Sequence, residues 1–499
     1  MTRMILFGAA AATLASTACL EAQDAQGYPQ DGLCYTQSGE LCPDLPVDLT
    51  GLTVVNGYSP NTDVESPDTT TVQQQNFDYF AWQMFVALNW PSDGSGNPSG
   101  SITDELTLDA PRVWESYPGI ADVFGAGPQV PGGCNGGRLA LGETSKMTDS
   151  GIESSSFTEP FTSSPLIDVD GNYVLYDIRL NETEAKYLTD NGLTTKSGQE
   201  AFKASHPDGW DLPRGVVQDG TPIPGAMEIK TSWRIVTDPS NPMGYYTVPG
   251  VVHVEGKNSA TGDPLCLDVT FGLVGMHIMQ KITTPEDFSN FWVWGTFEHV
   301  KNAPNAADAP VSQSNRNSTV SGNDPVASCP VPDNAGSDWA FFNPDCTSGG
   351  NACAPNQEPA IVGEVIWQSK PPYAKSALSD GQYGTQVTRC WDVYESARNV
   401  DDVFQTALEG SPWANYQLIG AQWAQAQVVE YPDPLKPFPA PIYLVNSTLE
   451  TYLQNDPVID PSTGAPNKNA SGSCIICHDI GTDTAGNKTD FSFLGFYAQ

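Results

Sequence analysis

Residues 474–478 read Cys-Ile-Ile-Cys-His, and only 21 residues follow them. Two thiols two residues apart on a helical turn can each add to one vinyl group of a porphyrin, and the next residue then lies beneath the iron. This CxxCH spacing is the attachment signature of a covalently bound c-type haem, with Cys474 and Cys477 as thioether donors and His478 as the proximal iron ligand. It also constrains the fold. The tail is too short to wrap a haem by itself, and small stand-alone cytochromes carry the motif near the start of their fold. The haem pocket must therefore be completed by residues from upstream.

Two other uses of a CxxC pair fit the sequence less well. A redox dithiol sits between a strand and a helix N-terminus, whereas residues 461–473 (PSTGAPNKNASGS) are polar and turn-rich. A structural zinc site needs a fourth ligand, usually from a second CxxC or HxxxH pair, and the chain has neither.

Haem attachment of this kind takes place outside the cytoplasmic membrane, so an export signal is expected. Arg3 precedes an apolar run, Met4 to Leu14, then Ala15-Ser16-Thr17-Ala18 and Cys19. That arrangement is too short for a membrane span and reads as a signal peptide. Ser-Thr-Ala-Cys resembles a bacterial lipobox, with Ser16 where Leu is usual, which makes Cys19 a candidate lipid anchor; ordinary cleavage is the alternative. Of eleven cysteines, two belong to CxxCH and one would be lipidated. The remaining eight (Cys34, Cys42, Cys134, Cys266, Cys329, Cys346, Cys353, Cys390) can all pair in an oxidising compartment. The expected location is the periplasm or outer cell surface. No later segment is apolar for long enough to span a bilayer.

Fifty-nine acidic against 22 basic residues give a net charge of −37. Such a field repels nucleic acid and anionic membrane surfaces and favours a basic partner. The acids are dispersed along the chain, so solubility explains them better than a docking patch does.

Twelve Trp, 18 Tyr and 19 Phe with 46 Gly and 41 Pro describe a turn-rich, mostly β chain with helical segments, an α+β fold. The expected architecture is a β-rich body with a C-terminal helical haem segment packed on it. The divisions are a signal peptide (1–18), an N-terminal tether (19–75), the β-rich body (76–310), a disulfide-containing connection (311–358), a mixed, helical segment (359–445) and the haem c-binding segment (446–499). Within these, 77–90 has helical spacing and stops at Pro91. Residues 166–176 read as a hairpin about Asp170-Gly171, with too few acidic positions for a calcium loop. The alternation over 267–281 places Leu267, Val269, Phe271, Leu273, His277 and Met279 on one face, and 291–300 is a second strand. Residues 400–427 return to helical periodicity, and Ser447-Thr448-Leu449-Glu450 is a capping box that starts a short helix.

Several phrases resemble a group of large exported bacterial cytochrome c-like proteins. They are Phe85-Val86-Ala87-Leu88-Asn89-Trp90-Pro91, Val113-Trp114-Glu115-Ser116-Tyr117, Gly272-Leu273-Val274-Gly275-Met276-His277-Ile278, Trp294-Gly295-Thr296-Phe297-Glu298-His299-Val300 and Asp490-Phe491-Ser492-Phe493-Leu494. The resemblance runs from about residue 77 to the end. It implies that the β region and the haem segment form one unit, and it implies no particular reaction.

The second axial position of the iron decides function: a His or Met ligand suits electron transfer, an open position suits small-molecule chemistry. His206 lies in a turn and His253 has no distinguishing context. His277 and His299 are the candidate distal ligands, and a β-hairpin would bring them within a few residues of each other. Met276 and Met279 widen the choice. Glu298 beside His299 suggests an acid/base couple, but adjacent strand residues point to opposite faces. The first functional reading is an exported monohaem cytochrome passing single electrons to an unidentified redox partner protein. The second is a haem enzyme with an open distal site, peroxidase- or oxygenase-like, using His277 or His299 as distal acid/base. The third is a non-redox β binding module with an accessory haem.

Overall fold

The structure is a computed structural model that describes residues 40–47, 67–125, 134, 139–141, 146–148, 151–153, 164–219, 221–283, 292–307, 309, 329–346, 353–358, 365–374, 384–393, 395–425, 438–441, 443–454 and 472–499. The segment read as a signal peptide, Cys19 and Cys34 lie outside these residues. The helices are α1 (Pro67–Leu88), α2 (Ile120–Phe124), α3 (Glu182–Asp190), α4 (Lys196–Ser205), α5 (Glu395–Ala407) and α6 (Cys474–His478). The strands are β1 (Leu139–Leu141), β2 (Lys146–Thr148), β3 (Gly151–Glu153), β4 (Leu175–Leu180), β5 (Val216–Gln218), β6 (Thr221–Ile223), β7 (Met227–Ile235), β8 (Thr247–Val254), β9 (Leu265–Lys281), β10 (Trp292–His299), β11 (Tyr416–Gln425) and β12 (Phe438–Ala440). The chain is thus α+β, built on a mixed eight-stranded sheet.

The 17-residue β9 is the spine of that sheet. Antiparallel β7 runs along one edge, and β8 followed by β10 along the other. β4 extends the sheet beyond β7, and β11 and β12 extend it beyond β10. β1 joins β8 in parallel.

One face of the sheet is covered by helices. In α1, Phe80, Trp82, Met84, Phe85 and Val86 are all buried, as expected of a helix apolar on every side. Asn89 stops it by donating from Nδ2 to the Phe85 carbonyl at 2.9 Å. Trp82 stacks on Phe404 of α5, and Phe85 on Phe297 of β10 with centroids 4.2 Å apart. Gly295 of β10 is required here, because a Cβ would sit 3.0 Å from that of Ala81. The other face, the tail face, carries residues 443–454 and 472–499. Asn446 reaches Thr296, Ser447 reaches Glu298, and Ile475 packs with Met279, Trp292 and Trp294.

The alternation expected for β9 holds only as far as Leu273. Ser232 of β7 pairs with Gly275 and Trp233 with Leu273, so Val274 is an extra residue, a β-bulge. Beyond it the parity inverts. Met276 and Ile278 continue the helix-side core of Phe271 and Leu273, while Gly275, His277, Met279 and Lys281 turn to the tail face.

Other expectations need adjusting. The helical pattern over 400–427 is α5 only to Ala407. Gly410, at φ +87°, and Pro412 break it, and Leu418 and Trp423 belong to β11, so this stretch completes the sheet of the body. The segment expected to be a tether ends earlier than residue 75, because α1 starts at Pro67. At 166–176 the turn forms, with a bridge between Ile167 and Tyr173, and Asp168 is paired with Arg234 at 2.9 Å. The capping box gives a single 3-10 turn, Thr451–Leu453.

The disulfides are Cys134–Cys266, Cys329–Cys390 and Cys346–Cys353. Cys42 is also disulfide-bonded. No described helix is long and apolar enough to cross a membrane.

Candidate functional site

Helix α6 is one short turn, and the apolar residues inside CxxCH decide how it sits. Ile475 is buried among Met279, Trp292 and Trp294, and Ile476 among Trp391, Tyr443 and Val445. Positions i, i+3 and i+4 share a helical face, so Cys474, Cys477 and His478 lie together on the side the isoleucines leave. All three are partly exposed. Gln422 of β11 holds the start of the turn: its Oε1 accepts from the Ile475 amide at 2.8 Å and the Ser473 hydroxyl at 3.3 Å, while Nε2 donates to the Pro441 carbonyl at 2.7 Å.

Cys474 and Cys477 are the described cysteines outside any disulfide. Burial pushes the Cys474 thiol well up, with Glu450 and Cys477 adding to the effect. The His478 ring lies between Phe493 and Trp294, with centroids 4.9 and 6.0 Å away. Its Nδ1 is 2.6 Å from the Phe491 carbonyl. A carbonyl only accepts, so Nδ1 carries the hydrogen. Burial pushes His478 down to about 4, so the ring is neutral at physiological pH and its lone pair is on Nε2. That is the tautomer a metal-ligating imidazole adopts.

His277 faces the same region from β9. Its Nε2 is 3.0 Å from both oxygens of Glu450. Lys230 of β7, paired across from His277, is 3.9 Å from Glu450. Burial alone would raise the Glu450 carboxyl, but His277 and Lys230 hold it down at about 2. Glu450 also accepts from the Asn446 amide at 3.0 Å; the capping-box bond expected to the Ser447 amide does not form, because that amide donates to Glu298. The charges of Lys230, His277 and Glu450 all act on His478.

The hairpin of β9 and β10 forms, with His277 opposite Thr296, but it does not unite the two histidines. His299 turns to the helix side, fully buried between Tyr245 and Tyr416. Its Nδ1 accepts from the Lys301 amide at 3.2 Å, and burial pushes it down to about 3. The sheet lies between it and CxxCH, so the structure does not bring His299 together with Cys474, Cys477 and His478. Met276 is likewise on the helix side, against Asn89. Met279 is on the tail face but packs under Ile475. Glu298 is no partner of His299; it accepts from Arg389 at 2.5 Å and from the Ser447 amide and hydroxyl at 2.6 and 2.7 Å. His206 is exposed and stacks on Phe202. His253 is buried beside Cys266 on β8.

These residues fit a covalently held porphyrin. Two thiols and a neutral imidazole share one face, and Trp294, beside that imidazole, has a buried Nε1 donor with no acceptor among the described residues. Among the described residues no group of three or more His, Cys, Asp or Glu could hold a bare metal ion. Trp294 and Glu450 were not singled out from sequence; the Trp-Val-Trp alternation at 292–294 and the capping box were their only signals. Comparison with protein-family models, curated proteins and solved structures finds no match for this chain.

Proposed function

We propose that this chain is an exported monohaem c-type cytochrome that passes single electrons, with Cys474 and Cys477 as thioether donors and His478 Nε2 as the proximal ligand. One observation carries the reading: on the face where both thiols emerge, His478 is fixed by the Phe491 carbonyl in the tautomer that leaves Nε2 for iron. The porphyrin iron would supply a one-electron couple. The protein's part is to hold the imidazole, shelter it with Trp294 and Phe493, and offer the Trp294 indole N–H to an acceptor. Export is supported by the disulfides together with the leader-like sequence. The electron partner is a separate redox protein; the acidic chain favours a basic one. Lipidation at Cys19 would tether the molecule to a membrane surface.

A second reading, a peroxidase- or oxygenase-like haem enzyme, is favoured by the His277–Glu450 pair. A carboxylate-anchored imidazole facing the CxxCH region has the make-up of an acid/base group. Denaturing-gel haem staining tests the first claim: the parent stains, and Cys474→Ala/Cys477→Ala does not. Staining unaffected by that double change refutes it. Visible spectra with and without carbon monoxide then separate the readings, since a closed six-coordinate iron does not bind the gas and an open one does.

A further inference from the structure

The carbonyl that orients His478 belongs to a residue whose backbone conformation needs outside support. Asp490 and Phe491 are consecutive non-glycine residues at φ +53° and +72°. The left-handed region costs an L residue about 1–2 kcal/mol, and such strain persists only where the surroundings enforce it. The surroundings here are specific. The Asp490 carboxylate accepts from the Lys281 ammonium, from the Leu212 amide at 2.8 Å and from Trp292 Nε1 at 3.3 Å. Lys281 is the last residue of β9 and is 3 % exposed; its other partner is the exposed Asp211, at 2.8 Å. The loop closes through the Ser492 amide, which donates to the Thr489 carbonyl at 3.0 Å. The sheet thus grips the turn at Asp490, and the next carbonyl is delivered to His478.

We propose that Lys281 and Asp490 are positioning residues that fix the Phe491 carbonyl on His478 Nδ1 and thereby set the reduction potential of the haem iron. This rests on the haem reading above. A full N–H···O=C bond makes the imidazole a more basic ligand, which stabilises the ferric state. Weakening that bond lets the one-electron couple, ferric haem plus an electron from a chemical reductant giving ferrous haem, run at higher potential.

Sign separates positioning from simple charge. Removing a nearby carboxylate raises the potential electrostatically and removing a nearby ammonium lowers it, whereas loosening the turn raises it in both cases. The experiment is a spectroelectrochemical titration of purified holoprotein, with haem-to-protein ratio measured in each variant. Asp490→Asn and Lys281→Met are both expected to shift the couple upward, by about tenfold in the ferrous-to-ferric ratio at fixed poise, or about 59 mV for one electron. Lys281→Arg returns the value towards the parent, and Asp211→Asn leaves it in place. Where Lys281→Met does not fold, Lys281→Gln, which also removes the ammonium, takes its place with the same upward shift expected. Opposite shifts in the two variants, or no shift in haem-loaded protein, overturn the positioning role alone. A parent protein without covalent haem overturns the haem reading and this proposal with it.

Discussion

Glu298 offers a severe test of how the tail is fastened to the sheet. It is fully buried, and its partner Arg389 is nearly so, with side-chain exposures of 0 and 6 %. Glu298→Ala removes the acceptor of three hydrogen bonds, from Arg389 at 2.5 Å and from Ser447 at 2.6 and 2.7 Å. Among the described residues the guanidinium then keeps only the neutral Asn305 Oδ1, at 3.0 Å. Stranding a buried charge costs about 3–5 kcal/mol, and leaving the Ser447 amide without an acceptor adds about 1–3 kcal/mol. With an unfolding entropy of about 2.1 cal/mol/K per residue, a chain of this length loses about 1 °C of melting temperature per kcal/mol, so a fall of about 4–8 °C is expected. Urea unfolding followed by tryptophan fluorescence reads the energy directly. Glu298→Met/Arg389→Met, which removes both charges, recovers most of the loss. A single-variant cost below about 1 kcal/mol, the range of a solvated surface pair, refutes the buried-pair account.

His277→Ala is expected to alter the visible spectrum or carbon monoxide binding of the haem protein, whereas His299→Ala leaves the spectrum alone and costs about 2 kcal/mol in urea through the cavity between Tyr245 and Tyr416; the reverse pattern counts against the assignment of faces. Glu184 and Glu228 lie against each other, and burial pushes both carboxyls up, with mutual repulsion adding for Glu184. Because the folded state binds more protons than the unfolded one above the ordinary carboxyl value of about 4.3, their contribution is complete below that pH and declines as pH rises towards neutrality; urea midpoints at pH 4.5 and 7.5 should show the decline shrinking in Glu184→Gln/Glu228→Gln. Gln422→Leu takes the acceptor from the Ile475 amide and Ser473 hydroxyl and is expected to cost about 1–3 kcal/mol, with faster hydrogen exchange at Ile475; an unchanged exchange rate would show that Ile475 and Ile476 alone hold α6.

The sequence made the β9–β10 pairing legible because two apolar alternations follow each other across one loop. It could not show which side of the sheet His277 faces. Alternation alone carries parity unbroken through Val274, and the bulge there shows only in the pairing of Ser232 and Trp233 with residues two apart. The spacing of Leu418 and Trp423 suits either period; pairing with β10 decides for the strand. The grip on Phe491 was illegible for a different reason: Lys281 and Asp490 are 209 positions apart, and nothing local links them.

The bulge at Val274 also bears on which kinds of inherited change this strand can absorb. Exchanging one side chain for another in β9 alters one contact. Deleting a single residue between Leu273 and Met276 would instead transpose two surfaces: Met276 and Ile278 would move to the polar side, and His277, Met279 and Lys281 would be driven into the layer beneath α1. Divergence in this strand is therefore open to replacement and closed to changes of length, so descendants of the chain should keep the count of residues from Phe271 to Lys281 even where few of the residues themselves survive.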